Sequence, residues 1–121
     1  MNKVILSGRL TRDPEVRDSE SGFSVAKMTI AVDRPKRKDG GERETDFIDL
    51  TAFGKRAEFL ERNGFKGQRV IISGRLQVSK YEIGGETKKR TEVILDDVDL
   101  LEWSDKPADR MERLNEEAFV F

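Results

Sequence analysis

Two short segments of the chain are nearly identical, and each has a glycine at the same internal position. Residues 4–10 read VILSGRL and residues 70–76 read VIISGRL. Two copies so far apart do not form a repeat array, which needs three or more stacked units. A glycine inside an apolar strand instead indicates a sharp bend, as where a strand coils into a small barrel. The segments therefore predict two bent strands, at Gly8 and Gly74, in a small β-barrel.

The rest of the chain adds strand patterns and one helix. A short run of good helix formers, residues 55–63, is followed by Gly64, which we expect to end a helix as its C-terminal cap. Alternation of apolar and polar residues, or turn signals such as Gly84-Gly85, marks the other strands at residues 23–33, 45–53, 68–83 and 91–101. These elements predict an all-β fold, a five-stranded closed or nearly closed barrel with one short helix and extended hairpin loops.

Composition limits the function. The chain of 121 residues has no cysteine and no histidine, which excludes thiol nucleophiles, disulfides, Cys/His zinc sites and imidazole catalysis. No apolar run approaches the roughly 20 residues of a membrane span, and strand-like sequence begins too early to leave room for a signal peptide. We therefore expect a soluble intracellular protein that is not an enzyme and binds no metal, cofactor or membrane.

Charge is nearly balanced over the chain but unevenly distributed. The 23 Lys and Arg against 24 Asp and Glu exclude a uniformly basic DNA-coating protein. Residues 1–95 nevertheless carry a net charge of +5 (20 basic, 15 acidic), and residues 96–121 carry −6 (3 basic, 9 acidic). A basic body with an acidic end is typical of a protein that binds a polyanion, although a solvated surface can show such asymmetry by chance.

The strand at residues 45–53 places two phenylalanines on its polar face. Phe47 and Phe53 share this face with Asp49 and Thr51, opposite an aliphatic face that we assign to the core. Exposed rings beside cations are typical of surfaces that bind single-stranded nucleic acid, because unpaired bases can stack on them. The alternative for Phe53 is a ring folded over the rim of the core. Asp49 and Thr51 indicate that the face around Phe47 is wet.

The strand at residues 68–83 repeats this arrangement. Tyr81 lies on a face that also carries Arg69 and Arg75, and the apolar face continues through Leu76 and Val78. Tyr81 is therefore the third candidate for base stacking, and the alternative is a simple cross-strand packing role.

Two basic loops lie next to these strands in the chain. One interpretation is that such a loop is a hairpin tip that only faces solvent. The other is that it is a basic arm that contacts the phosphates of a nucleic acid whose bases stack on the neighbouring rings. Their residues are Arg34, Lys36, Arg37 and Lys38 before the turn at residues 39–41, and Lys88, Lys89 and Arg90 across the hairpin from Tyr81.

Four segments, in order and at characteristic spacing, carry a family resemblance: residues 2–17 (NKVILSGRLTRDPEVR), 25–32 (VAKMTIAV), 46–55 (DFIDLTAFGK) and 67–76 (GQRVIISGRL). Together they resemble the bacterial single-stranded DNA-binding proteins over about residues 1–101. The resemblance implies an OB-fold that wraps single-stranded DNA without sequence preference, usually as a homotetramer, in replication, recombination and repair. It also implies a cytoplasmic, nucleoid-associated location.

The resemblance implies roles for individual residues. The family's stacking aromatics correspond to Phe47, Phe53 and Tyr81. Its phosphate-contacting positions correspond to Lys3, Lys55, Lys66 and Lys80, with Arg75 and the loop lysines as weaker candidates. The sequence departs from the family in having Pro35 and Lys36 where a further aromatic is common, and an acidic Asp49 between the two phenylalanines.

The charged segment of residues 104–121, with Pro107 as its boundary, predicts a short acidic tail after an OB domain of residues 1–103. Family tails recruit other genome-maintenance proteins, and here the candidate residues are Glu116, Glu117, Phe119 and Phe121, without the family's linker or its proline. Two alternatives stay open: an RNA-binding OB module, and a protein-interaction OB subunit of a replication complex.

Overall fold

The computed structural model describes residues 1–18 and 22–103. Its elements are β1 (Val4–Leu10), β2 (Glu15–Asp18), β3 (Ser24–Asp33), β4 (Thr45–Phe53), α1 (Lys55–Asn63), β5 (Arg69–Ile83) and β6 (Glu86–Leu100). None of the described helices has the length and apolar character needed to cross a membrane.

The strands form one sheet that closes on itself. Their order is β1-β5-β6-β4-β3-β2, and β1 pairs additionally with β3, which joins the two sides of the sheet into a ring. All pairs are antiparallel except β4 with β6. The interior is filled by alternate residues of the strands, among them Met28, Ile30, Leu50 and Ile72. The predicted all-β OB-fold with one short helix is confirmed.

The two internal glycines lie where backbones approach most closely. A Cβ atom at Gly8 would come within 2.2 Å of the carbonyl oxygen of Ala31, and one at Gly74 within 2.1 Å of the carbonyl oxygen of Ile94. β1 begins to pair with β3 just after Gly8, and the register of β5 with β6 shifts between Ser73 and Gly74. Both glycines therefore lie at points where strand pairing changes and a side chain would not fit, as expected where a sheet closes into a barrel.

The helix has its predicted bounds, but its end differs in detail. Gly64 has an extended backbone (φ −82°, ψ 144°) rather than the left-handed conformation common at helix ends, and its N–H donates to Leu60 O at 2.8 Å. The absence of a side chain matters here because a Cβ would lie 2.7 Å from both Leu60 O and Pro14 Cγ. The helix buries Ala57 and Leu60 against the barrel.

Two features depart from the sequence prediction. The short strand β2 was not predicted, and β6 begins at Glu86 rather than at residue 91. Residues 77–91 therefore form a two-stranded arm, in which β5 pairs only with β6. The expectation that Leu76 and Val78 continue the core face is wrong, since they are 44% and 52% exposed at the base of the arm. The side chain of Asn2 forms two hydrogen bonds with this base: its Nδ2 donates to Leu76 O, and its Oδ1 accepts from Leu76 N–H, each at 2.8 Å.

Candidate nucleic-acid interface

The outer face of β4 carries an exposed ring at each end. Phe47 is 69% and Phe53 is 41% exposed. The side chain of Asp49, between them, is 43% exposed. Thr51 contradicts the expectation of a uniformly wet face: it is buried, and its hydroxyl donates to Glu92 Oε2 at 2.6 Å. The reason is that β6 pairs with β4 at this point, Thr51 lying opposite Ile94.

Tyr81 projects from the arm, and an ion pair connects its face to β4. Tyr81 is 43% exposed and lies opposite Lys88. Arg90, on the same face of the arm, has its Nε 3.9 Å from Asp49 Oδ2. The three rings, together with Asp49 and Arg90, therefore belong to one surface, which we call the aromatic face. Since all three rings are exposed, a flat ligand can reach each of them.

Part of the positive charge of the first basic loop is neutralised by ion pairs with acidic residues of the same chain. Arg34 binds Asp46 through Nη2–Oδ1 (3.0 Å) and Nε–Oδ2 (3.1 Å), and also binds Glu44. The guanidinium lowers the pKa of the Asp46 carboxyl, and the hydrogen bond to Asp46 raises the pKa of Arg34. Arg34 therefore fixes the stem of the loop as well as adding charge.

At the tip of this loop, a second arginine is paired while two lysines are not. Arg37 Nη2 donates to Asp39 Oδ2 at 2.9 Å. The pKa of Asp39 is lowered first by the Gly41 N–H and then by Arg37. Lys36 and Lys38 are exposed and form no ion pair within the described part of the chain, so they carry the loop's uncompensated charge.

The other predicted cations do not gather on a single face. Lys3 Nζ lies 3.9 Å from Asp96, and Arg75 Nη1 donates to Gln77 Oε1 at 2.8 Å. Lys88 lies beside Tyr81, whereas Lys80 and Lys89 oppose each other on the other side of the arm. Within residues 1–18 and 22–103, no ion pair engages the exposed lysines Lys55, Lys66, Lys80, Lys88 and Lys89.

The sequence reasoning missed a cleft on the outside of β2 and β3. It has a volume of about 530 Å³ and contains cations that no motif had indicated. Lys27, one of its lining residues, has its Nζ 3.8 Å from Glu92 Oε2. Two sequence signals pointed toward it, namely the place of Lys27 on the polar face of β3 and Arg90 in the second basic loop, but β2 itself was not predicted. The lining residues are Arg12, Glu15, Arg17, Asp18, Val25, Lys27 and Arg90.

No group of three or more carboxylates among the described residues is arranged to hold a metal ion. The tail residues Glu116, Glu117, Phe119 and Phe121 lie outside the described part of the chain.

The closed barrel and the aromatic face define a class: small OB-fold domains that present rings and lysines on the outside of the sheet. The single-strand binding protein family matches residues 1–101, and the chain belongs to that family. The resemblance seen in the sequence is thereby confirmed.

Individual relatives support the same family assignment. A single-stranded DNA-binding protein of Fusobacterium nucleatum is 45% identical over 101 residues, which cover 82% of this chain and 66% of the relative. Single-stranded DNA-binding protein 1 of Staphylococcus aureus is 46% identical over 103 residues, 84% and 66% of the two chains. A single-stranded DNA-binding protein of Clostridium tetani is 41% identical over 117 residues, which cover 95% of this chain and 80% of the relative. The chain thus matches slightly less than two thirds of the length of the first two.

Proposed function

We propose that this protein binds single-stranded DNA without sequence preference and has no catalytic role. The observation that carries the proposal is the exposure of three rings, Phe47, Phe53 and Tyr81, on one surface. Stacking of a base on an aromatic ring contributes about 1–3 kcal/mol and tolerates any base. The names of the relatives add support.

The charge pattern favours a single strand over a duplex. A protein that coats duplex DNA needs mainly phosphate contacts, whereas here the net charge is −1 and rings dominate the aromatic face. The exposed lysines, such as Lys36, Lys55 and Lys88, lie near the rings in the chain and can neutralise phosphates. The corresponding role is the protection of single strands in replication, recombination and repair, in the cytoplasm at the nucleoid. We assign this role to residues 1–103.

We expect a dT oligomer to bind better than an rU oligomer or a duplex of equal length. Its affinity should fall with salt, with a log–log slope of about −0.7 per phosphate neutralised. Anisotropy of a labelled oligomer at several salt concentrations measures both quantities. Equal or better binding of rU would instead favour an RNA-binding OB module. Binding of neither would favour a protein-interaction subunit.

We also propose that the protein is a homo-oligomer, and a tetramer in keeping with the family that it resembles in sequence. Ile5 of β1 and Ile71 of β5 are 67% and 38% exposed in the single chain. They share the outer face of the sheet, because Ser7 lies opposite Ile71. A second copy packed on this face would remove both side chains from water, and it would leave the aromatic face open.

We expect light scattering of the free protein to give about four times the 13.9 kDa mass of one chain. The number of chains in each oligomer should stay the same when a long dT oligomer is added, because the aromatic face and the face that carries Ile5 and Ile71 are separate. A mass of one chain would contradict the proposal, and a mass of two chains would limit it to a dimer.

Recruitment of other proteins through Glu116, Glu117, Phe119 and Phe121 stays a prediction.

A further inference from the structure

We propose that Asn2 is a positioning residue for the binding of DNA: its side chain fixes the base of the arm and thereby holds Tyr81 in the orientation that base stacking needs. The inference rests on the proposed binding of single-stranded DNA. It adds to the rings and lysines of that proposal a residue that acts through Tyr81.

The side-chain amide of Asn2 takes the place of a paired strand at the point where β1 begins. β1 pairs with β5 as far as Val4, which lies opposite Gly74, and the same antiparallel register places Asn2 opposite Leu76. There the amide donates to Leu76 O and accepts from Leu76 N–H, both at 2.8 Å. Asn2 therefore extends the ladder between β1 and β5 by two hydrogen bonds, at the last residue of β5 before the arm.

The two strands of the arm are attached to the barrel by different side chains. On β6, Glu92 accepts a hydrogen bond from β4, and Arg90 forms an ion pair with β4. On β5, the hydrogen bonds of Asn2 hold the base, and the residues beyond it pair only with β6. Loss of the Asn2 amide would therefore release β5 at the base and let the arm turn about its attachment on β6.

Tyr81 is far enough from Leu76 for a small change at the base to matter. Five residues of a strand span about 17 Å, so a turn of about 10° displaces the ring by about 3 Å. A gap of about 1 Å already removes up to about half of the dispersion energy of a contact. The ring is 43% exposed, so packing against the rest of the protein holds it only in part. Its orientation toward a base therefore depends on how the arm is fixed.

A double-mutant cycle tests this dependence. We expect Asn2→Ala to weaken the binding of a dT oligomer about fivefold in the wild type, but less than about twofold in the Tyr81→Ala background. The thermal midpoint should change little, because Asn2 is exposed and lies outside the core. Asn63→Ala is the matched control: its amide also donates to a backbone carbonyl, Phe59 O at 3.0 Å, but on α1. The control should leave the affinity unchanged.

A second measurement needs no DNA. Tyr81 is the single tyrosine of the chain, so incorporation of meta-fluorotyrosine gives a fluorine NMR signal that reports on the arm alone. This signal should shift or broaden in Asn2→Ala, because the arm is no longer fixed on β5. It should stay in place in Asn63→Ala.

Two results would overturn the inference alone. Equal losses of affinity with and without the Tyr81 ring would mean that Asn2 acts independently of it, and an unchanged fluorine signal would mean that Asn2 does not fix the arm. If the wild type does not bind the dT oligomer at all, the proposed function fails and the positioning role fails with it.

Discussion

The double variant Phe47→Ala, Tyr81→Ala is expected to bind a dT oligomer about tenfold more weakly or worse, with its fold unchanged. Each ring contributes about 1–3 kcal/mol when a base stacks on it, so the loss of two of the three rings should weaken binding strongly. The fold should persist because both rings project into solvent, Phe47 at 69% and Tyr81 at 43% exposure. Anisotropy titration measures the affinity, and the thermal midpoint checks the fold.

The matched control for this variant is Ile83→Ala. Ile83 is 59% exposed, follows Tyr81 by two residues on the same face of the arm, and has no ring. Its removal tests whether any apolar group on the arm supports binding, and we expect less than a twofold effect. Unchanged affinity of the double variant, or an equal loss in the control, would contradict the stacking role of the two rings.

Local periodicity predicted which residues of β4 point outward but not which of them are exposed. The period of two put Phe47 and Thr51 on one face, and this is correct. Thr51 is nevertheless buried, because β4 pairs in parallel with β6, more than 40 residues away, and Glu92 closes over its hydroxyl. A pairing of such long range leaves no signal in the sequence of β4. The same limit explains Leu76 and Val78, which alternate correctly but lie where β5 has left the barrel.

For the first basic loop, the sequence predicted the position and the exposure of the cations but not which of them form ion pairs. The run of cations before the turn at residues 39–41 was visible in the sequence, and its exposure follows directly. Its division into the paired Arg34 and the unpaired Lys36 depends on where Asp46 and Glu44 lie after the hairpin forms. Charge partners across a hairpin are fixed by register, which the turn sequence alone does not determine.

The second prediction of large effect concerns the duplicated segments. We expect Gly74→Ala to lower the free energy of unfolding by about 3 kcal/mol or more. The added Cβ would lie 2.1 Å from Ile94 O and 2.9 Å from Ile94 C, which are backbone atoms and cannot rotate away. Ile94 cannot simply move either, because its segment of β6 pairs with β5 on one side and with β4 on the other. The clash can therefore be relieved only by moving β5 away from β6, which opens the barrel. Gly8→Ala, which meets Ala31 O at 2.2 Å, should behave alike.

Thermal unfolding followed by circular dichroism tests this expectation, at equal protein concentrations because self-association shifts the midpoint. A loss of 3 kcal/mol corresponds to a fall of roughly 12–24 °C for a domain of this size. Gly41→Ala is the control, since its Cβ would meet only the flexible end of the Arg37 side chain, and it should shift stability by less than about 0.5 kcal/mol. If Gly74→Ala unfolded at the temperature of the control, the two backbones could not be in contact at Gly74. The mid-strand glycines would then need another explanation than closure of the barrel.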